Sequence, residues 1–99
     1  MQIEKVSEEA GVRLTVSGSL TAVTAEQLSA AIDPVLEETK KLILDFKELE
    51  FLASAGLRVI IATKKKLDAL KGTMVIRNVC EAVMDVFEVT GLDDILDFE

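Results

Sequence analysis

The sequence predicts an α/β fold in which helices pack on a mixed β-sheet, and three observations carry that expectation. Leu42-Ile43-Leu44 and Met74-Val75-Ile76 are apolar runs too short for helices, and they suit strands buried on both faces. Between them, residues 55 to 70 space their apolar positions helically and close a strand–helix–strand unit, which is right-handed in nearly all proteins. Ahead of both, Val12, Leu14 and Val16 alternate with polar residues in the period of two that marks a half-exposed strand. With 99 residues and 49% apolar content, the chain is read as one domain over 1–99 with enough core to fold unaided.

The elements follow in order. Gln2–Ser7 and Val12–Ser17 form a hairpin, with Glu8-Glu9-Ala10-Gly11 as its turn and Gly11 free to take a positive φ. Gly18 ends the second strand. Thr24 and Gln27 have capping-box spacing at the start of a helix. Leu28, Ile32 and Val35 give that helix its apolar face, flanked by Ala31 and Leu36. Pro34 removes a bond to the Ala30 carbonyl, which favours a kink there over a fresh turn capped by Asp33. After the Lys41–Asp45 strand comes the helix near Ala55–Leu70, closed by Gly72. Thr73–Arg77 is the next strand. Asn78 and Glu81 then have the spacing to cap a third helix from about Val79, which Gly91 closes. Ile95–Phe98 adds a short terminal strand. The predicted order is ββαβαβαβ.

Composition removes several functions. No histidine is present, so the commonest general base and metal ligand are both missing, and neither a metal nor a cofactor is expected. The lone Cys80 forms no internal disulfide, which fits a reducing cytoplasm, and it reads as a small buried hydrophobe. No run reaches the roughly 18 apolar residues of a membrane span, and no signal-peptide pattern follows Met1. The net charge of −7 disfavours nucleic acid as a partner. Residues 1–77 balance 11 bases against 11 acids. Residues 78–99 carry seven acids and no base, as a solvated face or a filter against other acidic chains.

The informative segment is Phe51-Leu52-Ala53-Ser54-Ala55-Gly56-Leu57-Arg58, at the carboxyl end of the strand region, where open α/β folds place their sites. Ser54 stands where a helix N-cap belongs, and the plainest reading is an ordinary structural cap. Three chemistries compete with that. A nucleophilic serine elbow would need a first glycine, where Leu52 stands, and a histidine base that the chain lacks. Anion binding at the helix N-terminus lacks a glycine-rich cradle. A phosphoacceptor needs only an accessible hydroxyl, and the flanking alanines leave Ser54 accessible.

At this segment the chain resembles the STAS-domain anti-sigma-factor antagonists, bacterial regulators switched by phosphorylation. The resemblance spans nearly the whole chain, through Gly18-Ser19-Leu20, Leu44-Asp45-Phe46, Ser54-Ala55-Gly56-Leu57 and Thr90-Gly91-Leu92. It implies a STAS-like mixed sheet and no catalysis by the chain itself. It also implies that Ser54 is phosphorylated by an anti-sigma factor acting as a serine kinase with ATP and magnesium, and that a phosphatase restores it. The implied partner surface comprises Ala53, Ser54, Ala55, Gly56, Leu57, Arg58 and Ile61, with Thr21 beside it. Two departures stand out. The family corner reads Asp-Ser-Ser/Thr-Gly, and here Ala53 and Ala55 replace the acid and the second hydroxyl; Thr21 stands where the family often has Asp.

On the helix after Ser54, Gly56, Val59, Ile60, Thr63, Leu67 and Leu70 share the face assigned to the sheet. Leu57 and Ile61 lie apart, beside Lys64, Lys65 and Asp68, as a docking patch or under a neighbouring element. The Lys64-Lys65-Lys66 run is a solvated face, or a salt-sensitive contact for an acidic partner. The competing function is a STAS accessory subunit of a transport or sensory complex, with Ser54 only a cap.

Overall fold

A computed structural model describes residues 1–9 and 11–99. Its elements are β1 (Gln2–Glu8), β2 (Gly11–Leu20), α1 (Ala22–Glu38), β3 (Lys41–Asp45), β4 (Leu49–Leu52), α2 (Ser54–Ala69), β5 (Thr73–Arg77), α3 (Glu81–Val89), a 3₁₀ turn (Leu92–Asp94) and β6 (Asp97–Phe98). The strands lie in the order β1-β2-β3-β5-β6, with β4 also paired to β2. The β1–β2 hairpin is antiparallel and every other pairing is parallel. The α/β class with a mixed sheet is as expected, with one strand, β4, that the sequence pattern did not reveal.

Alternation in the strands sets the core. Val12, Leu14 and Val16 of β2, Leu42 and Leu44 of β3, and Met74 and Ile76 of β5 point to one side of the sheet. There they join Leu28, Ile32 and Val35 of α1, Ile60 and Leu67 of α2, and Val83 and Phe87 of α3. Ile43 points to the other side and is also buried, although it lies outside that cluster. Arg13 and Arg77 occupy that second side, held by Glu8 and Glu99 (3.1 and 3.0 Å).

Several local expectations shift, each for a physical reason. Gly11 has no positive φ; it opens β2 because a Cβ there would lie 2.3 Å from the Lys41 carbonyl oxygen. Ala10 of the expected turn falls outside the described residues. Gly18 does take a positive φ (+93°), yet it does not end β2. It marks a register shift, so residues 12–15 pair with β3 while Gly18–Leu20 pair with β4. The first helix starts earlier than Thr24: Thr21 is its N-cap, and the Thr21 amide donates to Thr24 Oγ1 (2.8 Å). It is one helix through Pro34, and Asp33 opens no new turn but holds Lys66 instead (3.1 Å).

At the end of α2 the left-handed residue is Lys71 (φ +59°) rather than Gly72. The Gly72 amide donates to the Leu67 carbonyl and the Lys71 amide to that of Asp68, a Schellman closure. Gly72 is small because a Cβ would lie 2.5 Å from the Lys40 carbonyl oxygen. Leu70 falls past the helix end, leaves the sheet-facing row and is exposed. Asn78 does not cap α3. It takes φ +60° and donates to buried Asp45 (3.2 Å), and Cys80 becomes the N-cap. Cys80 is exposed, not buried. Gly91 closes α3 at φ +76°, as its position suggests. All seven acids of residues 78–99 are exposed.

Candidate functional site

The site is built where two parallel strands end together. Leu20 of β2 and Leu52 of β4 are register partners, and the Ala53 amide donates to the Leu20 carbonyl at 2.9 Å. Ala53 therefore keeps extended backbone (φ −95°, ψ 170°) and becomes the N-cap of α2. Its carbonyl accepts from the amides of Gly56 (3.0 Å) and Leu57 (3.2 Å), which starts the helix. Ser54 is thus the first helical residue and not the cap. Its hydroxyl is exposed and has no hydrogen-bond partner among the described residues.

Gly56 fixes how closely α2 approaches the strand ends. A Cβ there would sit 2.6 Å from Leu20 Cγ and 2.7 Å from Leu52 Cδ1. Only a hydrogen fits in that position. Leu57 is in the core (9% exposed) and so offers no apolar side chain to a partner, a correction to its expected place in a docking patch. One turn later, Ile61 is half-buried in a depression of about 260 Å³ with Leu92, Ile95 and Leu96, rimmed by Lys64, Lys65 and Asp68. The 3₁₀ turn and the residues after it supply the partial cover.

Thr21 is brought to the same corner, since it follows Leu20 as Ala53 follows Leu52. Thr24 Oγ1 donates to the Ser19 carbonyl (2.8 Å) while accepting from the Thr21 amide, which fixes the start of α1 beside the start of α2. Ala53 and Ala55 are half-buried and Arg58 is exposed. The structure also adds two residues that sequence reasoning missed. Val23 (87% exposed) and Phe51 (54% exposed) are large apolar side chains left in solvent on either side of the corner. Phe51 opens the informative segment but is no part of the expected partner surface; it lies in β4, where it pairs with Ser19.

Charges near the corner are unneutralised. Glu48 and Glu50 are exposed before and within β4, and neither forms an ion pair among the described residues. The lysine run is tied down in part, Lys64 to Asp68 and Lys66 to Asp33. The described residues contain no group of three or more Cys, Asp or Glu side chains arranged to hold a metal. None of their helices is long and apolar enough to cross a membrane.

Comparison with known proteins places this geometry. The anti-sigma-B factor antagonist of Bacillus subtilis is 25% identical over 97 residues, 98% of this chain and 89% of the relative. An anti-sigma factor antagonist of Mycobacterium paratuberculosis superposes with a TM-score of 0.88 at 28% identity, covering 98% of this chain and 83% of that one. The Bacillus cell fate determinant SpoIIAA, in its phosphorylated form, gives 0.74 at 23% identity over 99% of this chain and 89% of that one. The first two are named as anti-sigma factor antagonists, not as enzymes. The family model for the STAS domain matches residues 2–99, and with the fold and the strand-end corner in agreement, the chain belongs to the STAS domain family.

Proposed function

We propose that this protein is an anti-sigma factor antagonist whose binding is switched by phosphorylation of Ser54. The observation that carries the reading is the uncommitted Ser54 hydroxyl, exposed on the first residue of α2 beside Thr21. A competing role as a mere cap loses its physical basis, because Ala53 holds the cap position. Names of relatives and the phosphorylated form of SpoIIAA support the same assignment.

In the unphosphorylated state the corner docks on the anti-sigma factor, with Val23 and Phe51 as apolar contacts around Ser54. A serine kinase then moves the γ-phosphoryl group of ATP to Ser54 Oγ, whose proton leaves to a base of the kinase, and ADP departs. The phosphate adds about −1.5 to −2 charges and three acceptor oxygens. The fold tolerates it, since the start of a helix favours an anion by about 0.3–1 kcal/mol. The partner does not: a dianion on the docking surface must be desolvated, and exposed Glu48 and Glu50 add like charge. A phosphatase reverses the state, and the cycle operates in the cytoplasm.

The test is incubation with the cognate anti-sigma factor, ATP and magnesium, followed by mass spectrometry of peptides. A single phosphate on Ser54 supports the proposal. An unmodified Ser54 in the presence of an active kinase contradicts it.

A further inference from the structure

We infer that Arg58 is the internal counter-ion of a phosphate on Ser54, so that the switch is read first within the chain and then by the partner. The inference rests on the assignment of Ser54 as phosphoacceptor. Ser54 and Arg58 are four residues apart in α2, which puts their side chains one turn apart on the same face. Both are exposed.

Arg58 is available for this role. Arg13 and Arg77 are held by Glu8 and Glu99, whereas Arg58 forms no ion pair or side-chain hydrogen bond among the described residues. Its planar fork can give two parallel N–H donors to two phosphate oxygens, which a lysine point charge cannot do. Among the exposed charges of the segment ahead of Ser54, Glu48 and Glu50 disfavour the dianion, and Lys47, just before them, is of the opposite sign. Lys65, the next cation along this face, lies about three turns beyond Ser54, too far to substitute.

Two changes then coincide on phosphorylation. The surface gains an anion, and it loses a free arginine that an acidic group of the partner would otherwise meet. A clamp of this kind also holds the phosphate against α2, limiting the orientations it presents to a phosphatase.

The experiment uses the full chain with phosphoserine genetically encoded at position 54, so that no kinase is needed. Phosphorus NMR follows the phosphate through its second ionisation in the otherwise native chain and in the Arg58→Gln and Arg58→Lys variants. The native arginine should make the phosphate titrate about half a pH unit below its position in Arg58→Gln. Arg58→Lys should fall between them, and about 1 M salt should largely close the gap. Native and Arg58→Gln curves that coincide at low salt overturn the inference. Because the phosphate is built in, that failure leaves the kinase assay of Ser54 untouched, and failure of the kinase assay leaves this result standing.

Discussion

The amide of Ala53 donates to the carbonyl of Leu20 at 2.9 Å, and this bond sets the two halves of the candidate surface side by side. Because it extends the β2–β4 pairing by one residue, it moves the start of α2 to Ser54. A serine at the next position back would spend its oxygen on the helix amides. At the first helical position it is left free.

Capping chemistry can be separated from signalling on this ground. Ser54→Ala should change stability by less than about 0.5 kcal/mol, since no cap bond is lost. Ala53→Asp should instead stabilise the fold by about 0.5–1 kcal/mol, because it supplies the side-chain acceptor that the N-cap lacks. Equilibrium urea unfolding of both variants reads the difference. The same Ala53→Asp change restores the acid of the family corner.

Gly56→Ala tests the close approach of α2. The new methyl would lie within 2.7 Å of Leu20 and Leu52 side-chain carbons, both in the core. Overpacking of this kind costs about 1–3 kcal/mol, and the better helix propensity of alanine offsets at most about 1. A net loss of about 1–2 kcal/mol should appear as a lower urea midpoint with an unchanged slope.

Leu57→Ala distinguishes core from surface. At 9% exposure Leu57 belongs to the central cluster, so truncation should destabilise by about 2–4 kcal/mol. Ile61→Ala, at a half-buried position, should cost about 1 kcal/mol or less. Thermal unfolding of the two variants should rank them in that order.

Asn78 joins a strained backbone to a buried acid. Its φ of +60° suits asparagine, and its amide donates to Asp45, which also accepts from the Lys47 amide (3.0 Å). Asn78→Ala should lose both advantages and cost about 1–3 kcal/mol. Asn78→Gly, which relieves the strain but not the missing bond, should cost less. Paired denaturation curves give the comparison.

The parts of this account legible in the sequence were those with unbroken periodicity. Val12, Leu14 and Val16, the triplet at residues 42–44, Met74 and Ile76, and the face through Ile60 and Leu67 all lie where their spacing put them. Val75, expected to be buried on the second face, is half-buried. Ends were harder to read. Thr24, Ser54 and Asn78 each carry a side chain suited to an N-cap, yet Thr21, Ala53 and Cys80 hold those positions. For Ser54 and Asn78 a tertiary bond outweighed local preference, since Ala53 is drawn into the sheet and Asn78 turns to Asp45. Thr24 still serves the helix start locally, as the N3 partner of the Thr21 cap. β4 was invisible because its buried residues, Leu49 and Leu52, are three apart, which matches no strand period.

The most direct test of the central claim is the affinity of the cognate anti-sigma factor for the chain with and without phosphate on Ser54. The unmodified chain and Ser54→Ala should bind alike, while the phosphorylated chain should bind about a hundredfold more weakly, near 2.8 kcal/mol. Equal affinities for the modified and unmodified chains would contradict the account.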